Sequence, residues 1–204
     1  MMSAPAPDER PGVDRIREAA LRLFAARGTA ATSLRLVASE AGVSLGMVQH
    51  HFATKANLIK AVDDHVLRVL KTALARPVPE PPADSIGQVG SQITSLITDE
   101  PLVCAYIGQA LTEGSALGVQ VFDMLAEMGV KRWRDRAELG LTRPDLDPTW
   151  SVLNPLILAL GAWVLRAHID RHLPEPFETP EQLQRWQEAT SDLLREGQMR
   201  QPEP

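Results

Sequence analysis

Apolar residues along this chain recur at the three-to-four spacing of an amphipathic helix almost everywhere, and no run alternates β-branched with polar residues as a half-buried strand would. The chain is therefore expected to be all-α. Glycine, proline and hydroxyl residues cut the pattern into segments. A first helix spans 13–27, with Val13, Ile16, Ala20, Leu23 and Phe24 on one face, and Gly28 closes it. Thr32 or Ser33 caps a second helix, which runs to Ala41 and is stopped by Gly42. A short third helix covers 45–51, and Thr54 caps a fourth that reaches about Ala75. Four of the seven residues in 76–82 are Pro, which lacks the amide hydrogen a helix needs, so a boundary is expected there. Further helices are expected near 84–98, 101–115, 118–139, 148–169 and 180–196, about nine in all. Asp147-Pro148 and Thr179-Pro180 each set a capping residue before a Pro at the first helical position. Pro155 is expected to kink its helix.

Charge is spread unevenly. Residues 1–71 hold ten Lys/Arg against seven Asp/Glu, whereas 72–204 hold eleven against nineteen. Within a net charge of −5, the first third is thus cationic, as a phosphate-contacting head on a body that avoids phosphate would be. The single cysteine, Cys104, excludes an internal disulfide and a multi-thiolate metal site and fits a reducing compartment. Residues 1–11 read as a disordered leader without the apolar stretch of a signal peptide. The longest uncharged run, 148–165, is interrupted by Asn154, Pro155 and Gly161 and falls short of the roughly 20 residues a membrane span needs. A cytoplasmic protein is expected.

Two short helices joined by a tight glycine turn, over 34–52, have the layout of a helix-turn-helix, whose second helix enters the DNA major groove. The stretch Ala41-Gly42-Val43-Ser44-Leu45-Gly46-Met47-Val48-Gln49-His50-His51-Phe52-Ala53-Thr54-Lys55-Ala56-Asn57-Leu58 resembles the AGVSxGxxYxHFxxKxxL core of the TetR (tetracycline-repressor) family. The resemblance is strong over about 13–70, including the helix that ends Phe24-Ala25-Ala26-Arg27-Gly28. Each position also has a physical reason. Gly42 permits the left-handed backbone that closes a helix, and Val43 fills the wedge between the two helices. Ser44 caps the recognition helix and leaves its free amides toward a phosphate. Gly46 lets that helix approach DNA closely. Thr54 and Lys55, and Arg35 with Thr32 or Ser33, are expected to contact backbone phosphate, which fixes position without reading sequence. Base reading falls to Leu45, Met47, Gln49 and His50. Gln49 stands where the family usually has Tyr; it can bond adenine N6 and N7, a contact of ~1–3 kcal/mol of discrimination, while Leu45 and Met47 can touch thymine methyls. His51 and Phe52 pack the head and support a phosphate contact. His50-His51 does not suggest a metal, because adjacent helical residues point about 100° apart and no Cys, Asp or Glu stands three or four positions away on the same helix. The expected division is a leader over 1–11, a helix-turn-helix DNA-binding domain over 12–53, a connecting helix over 54–75, a Pro-rich linker over 76–83, an effector-binding and dimerisation domain over 84–198, and a disordered tail over 199–204.

For the C-terminal region the resemblance implies a homodimer that encloses a small-molecule pocket and moves its two DNA heads apart when the effector binds. Tyr106, Phe122, Met124, Met128, Trp133 and Trp163 are the pocket candidates, since aromatic and thioether groups suit an apolar cavity. Leu156, Leu160, Trp163, Val164, Trp186 and Leu193 are the dimer candidates, on two wide apolar helices that can form a four-helix bundle with a second copy. Arg132, Arg134 and Arg136 are expected on a solvated face. No Gly-rich phosphate loop, G-x-S-x-G elbow or H-E-x-x-H occurs, so an enzyme is not expected, and no cofactor or metal is called for. The expected function is a sequence-specific transcriptional regulator, and a repressor in particular, because occluding a promoter needs only tight binding. Its expected partners are a palindromic double-stranded operator, a second copy of the chain and a largely apolar effector, with no membrane. The alternative is a DNA-binding protein of the same fold without an effector, architectural or partner-recruiting.

Overall fold

Residues 12–76 and 85–199 are described in this structure, a computed structural model. The expected leader, most of the linker and most of the tail lie outside the described residues. Among those described there are ten helices and no strand: α1 Gly12–Arg27, α2 Leu34–Glu40, α3 Leu45–Phe52, α4 Lys55–Leu74, α5 Ser85–Asp99, α6 Pro101–Glu113, α7 Ala116–Glu138, α8 Pro148–Val164, α9 Arg166–Ile169 and α10 Pro180–Gln198. A single 3₁₀ turn, Asp170–His172, follows α9. The all-α expectation holds. The chain divides within α4 into two compact units, residues 1–66 and 67–204.

In the N-terminal unit α1 packs on α2 and α3, and α2 on α3. Ile16, Ala20 and Phe24 of α1, Val37 of α2, Val48 of α3 and Leu58, Val62 and Val66 of α4 are buried. The helix starts are set by hydroxyls. Ser33 Oγ accepts from Leu36 N at 3.2 Å, Ser44 Oγ from Met47 N at 3.1 Å and Thr54 Oγ1 from Asn57 N at 3.1 Å. The α2 stop is a complete Schellman motif: Val43 N donates to Ala38 O and Gly42 N to Ser39 O, with Gly42 at φ 64°. Nothing lies within 4 Å of a Cβ built on Gly42, so its backbone angle, and not crowding, demands glycine there.

In the C-terminal unit α6 packs on α7, α5 on α10, and α8 on α6, α7 and α10. Gly118 permits the closest approach, since a Cβ there would fall 2.3 Å from the backbone oxygen of Ala110 on α6. Gln187 of α10 clamps α5, its amide donating to Ser91 Oγ and its oxygen accepting from Thr94 Oγ1. Asp147 caps α8 as expected, accepting from Trp150 N at 2.9 Å. Thr179 does not cap α10; its hydroxyl donates to Pro176 O instead.

The single helix expected over 148–169 is two helices. The chain passes through Pro155 without ending and breaks at Leu165, where the direction turns by 67°. Trp163 O, which a continuing helix would offer to the amide of residue 167, accepts from Arg166 Nη1 at 3.1 Å, and the same guanidinium lies 4.3 Å over the Trp163 ring. No single helix among the described residues is long and apolar enough to cross a membrane.

Candidate functional site

Successive residues on α3 turn by about 100°, which sorts its side chains into four sets. Val48 and Phe52 point into the N-terminal unit and are buried. Gly46 and His50 occupy the opposite, exposed side. Gln49 and half-buried Leu45 lie on one flank, with Met47 and His51 on the other. Gly46 has no neighbour nearer its absent Cβ than Ser44 Oγ at 3.8 Å, so this side of the helix is open. Met47 is partly committed, its sulfur 3.1 Å from where a Cβ on Gly12 would sit. The His50 and His51 rings meet edge to face with centroids 5.3 Å apart.

Around α3, Arg35 is exposed and Ser33 is an exposed cap. Thr32 corrects the expectation: it is buried and its hydroxyl donates to Gly28 O at 3.0 Å, so it neither caps α2 nor faces outward. Lys55 is held by Ala30, whose carbonyl accepts from Nζ at 3.2 Å and leaves two ammonium hydrogens for another acceptor. Ala53, which sequence reasoning passed over, joins α3 to α4 at φ 55°, ψ −52°, with Thr54 N donating to Phe52 O at 2.6 Å. That is a γ-turn at a non-glycine residue, a strained backbone that fixes the exit angle of the recognition helix.

The C-terminal unit holds a partly open cavity of about 220 Å³. Three of the expected pocket residues, Met128, Trp133 and Trp163, line it; Tyr106, Phe122 and Met124 do not. Tyr106 is buried elsewhere in the core, and on α7 it is Val121 and Leu125 that face the cavity beside Phe122 and Met124. Four expected dimer residues also turn inward: Leu156, Leu160, Trp163 and Trp186 line the cavity, and Trp163 Nε1 donates to Cys104 O at 2.7 Å. Val164 and Leu193 are exposed, and Trp186 is half-buried against the edge of Phe177. The exposed apolar side of α8 is formed by Trp150, Ile157, Leu158, Val164 and Leu165.

The arginines depart from the expected solvated face. Arg134 is exposed, but Arg132 and Arg136 are half-buried and line the cavity. Arg136 donates to Ser85 Oγ from both Nε and Nη2, at 3.2 and 2.7 Å. Burial draws the Arg132 guanidinium below its ordinary range. Cys104 is also in the wall; burial first, then the charges of Glu100 and Glu178, push its thiol up to about 12.

Residues 16–62 match the family described as "Bacterial regulatory proteins, tetR family". The HTH-type transcriptional regulatory protein RaaS of Mycobacterium tuberculosis is 30% identical over 135 residues, 66% of this chain and 61% of that protein. The HTH-type transcriptional repressor Rv3405c of the same organism is 49% identical over 72 residues, 35% of this chain and 36% of that one. The chain thus spans about three fifths of the first of these relatives and about a third of the second. Its fold is that of the ketosteroid transcriptional regulator KstR2 of M. tuberculosis, with a TM-score of 0.69 at 18% identity over 96% of this chain and 99% of that one. Residues 16–62 thus form a helix-turn-helix head of the tetR family of bacterial regulatory proteins, on a chain whose all-helical fold is shared with solved regulators.

Proposed function

We propose that the protein is a homodimeric, sequence-specific DNA-binding transcriptional regulator, a repressor released from a palindromic operator by a small-molecule effector. The observation that carries this reading is the form of α3. It is a short helix capped by Ser44, anchored by Val48 and Phe52, and open along Gly46, Gln49 and His50. That shape suits insertion into a major groove. Gln49 and His50 read base edges, with Leu45 and the free part of Met47 against thymine methyls. Ser33, Arg35, Ser44, Thr54, Lys55 and His51 hold phosphates around them.

Two identical heads reading one duplex need a dimer. The exposed apolar side of α8, with Leu193 of α10, is the surface that pairs two copies, in place of the inward-facing Leu156, Leu160, Trp163 and Trp186. The cavity beside Met128, Trp133 and Trp163 is the effector site. Its relative Rv3405c is a transcriptional repressor, which favours the repressing sense. A protein that acts on DNA in this way works in the cytoplasm.

Selection of bound duplexes from a random pool, at fixed salt and protein concentration, tests the reading. An inverted repeat of two half-sites is expected. A folded protein that enriches no sequence contradicts it.

A further inference from the structure

Resting on the reading of the cavity as an effector site, we infer that its ligand combines an apolar body with a single anionic head, of the carboxylate class, which pairs with Arg132. The walls carry charge of one sign only: Arg132 and Arg136 line the cavity, and no Asp or Glu does. Spaced four residues apart on α7, the two guanidiniums stand on one face of that helix.

Their situations differ. Arg136 is engaged by Ser85 Oγ. Arg132 has no hydrogen bond or ion pair among the described residues, and the acid on the neighbouring turn, Asp135, is held at 2.6 Å by Lys131. A guanidinium half withdrawn from water without a partner is costly, and a carboxylate offers it two parallel hydrogen bonds that offset the loss. The lowered affinity of Arg132 for its proton points the same way.

The rest of the lining sets the body of the ligand. Ile93, Leu125, Leu156, Leu160 and Trp133 present hydrocarbon and aromatic surface. By proportion with an apolar cavity of about 150 Å³ that takes benzene, this volume admits a ligand of on the order of ten non-hydrogen atoms. A cationic ligand meets two arginines and no carboxylate. The Trp163 ring already carries a cation, the Arg166 guanidinium, at 4.3 Å.

Three probes of equal chain length and different head charge separate the possibilities: octanoate, octanamide and octylammonium. They are titrated into the whole 204-residue chain by calorimetry and by fluorescence of its tryptophans, in wild type, Arg132→Met and Arg132→Lys. Octanoate is expected to bind at least tenfold more tightly than octanamide, and octylammonium most weakly. Arg132→Met should bring octanoate down to octanamide, and Arg132→Lys should retain part of the preference. Equal binding of octanoate and octanamide to wild type, tightest binding of octylammonium, failure of octanoate to bind, or an octanoate preference that survives Arg132→Met would each overturn the inference. A separate DNA titration with octanoate saturating tests the effector reading. Unchanged DNA affinity would contradict that reading while leaving the head-group preference standing.

Discussion

Gly46→Ala separates what α3 does for the fold from what it does for DNA. Gly46 is the second residue of α3, exposed, with its nearest prospective neighbour, Ser44 Oγ, at 3.8 Å. A methyl group therefore fits the folded chain without displacing anything. Alanine also loses less backbone entropy than glycine on entering a helix, so the variant should be stabler by about 0.5 kcal/mol. For a chain of this size that is a rise of roughly 1–2 °C in Tm. On DNA the sign reverses, because the same methyl stands between the helix backbone and the groove. Losing one base contact at the low end of about 1 kcal/mol on each of two heads amounts to about 2 kcal/mol, roughly thirtyfold in Kd. Fluorescence anisotropy with a labelled duplex recovered by selection, at fixed salt, measures the second effect, and thermal unfolding the first. A folded Gly46→Ala protein that binds as tightly as the parent would refute the close approach of α3 to DNA. A loss of stability would refute the claim that the site is open.

Lys55→Ala is expected to weaken all duplexes alike and to flatten the log Kd against log salt slope by about 0.9 per head, measured by the same titration from low to moderate salt. Gly118→Ala puts a Cβ 2.3 Å from the Ala110 oxygen, backbone that cannot swing aside, and should cost about 3 kcal/mol in urea unfolding. The Cys104 thiol, pushed up to about 12, stays protonated through the range in which an exposed thiol near 9 ionises. It should thus resist a disulfide reagent at pH 8 until urea exposes it. Because the unfolded thiol ionises first, the stability this group contributes is complete below pH 9 and is lost as pH climbs toward 12.

The N-terminal unit was legible because local chemistry decides it. A positive φ after α2 calls for Gly42, an open first turn calls for Ser44, and the alternation of buried Val48 and Phe52 with exposed Gly46 and Gln49 follows from helical geometry. Thr32 and Ser33 are equivalent as candidate caps in sequence, and only the backbonding of Thr32 to Gly28 in the folded chain separates them. Ala53 gives no warning of its γ-turn, because alanine does not favour that conformation. In the C-terminal unit α8 is apolar on every side, so composition could not tell the cavity face of Leu156 and Leu160 from the exposed face of Ile157 and Val164. The break at Leu165 has no Gly or Pro to announce it, since a side chain, Arg166, takes the carbonyl of Trp163. Arg132 and Arg136 look like a solvated stripe until the neighbouring helices close over them.

The most direct test is to run the selection from a random duplex pool side by side with wild-type protein and Gln49→Ala. The account predicts an inverted repeat from both, with unchanged half-site spacing and with base preference lost from the variant at one symmetry-related pair of positions. An identical base preference from the two proteins, or no enrichment by the folded wild type, would contradict the claim that α3 reads DNA through Gln49.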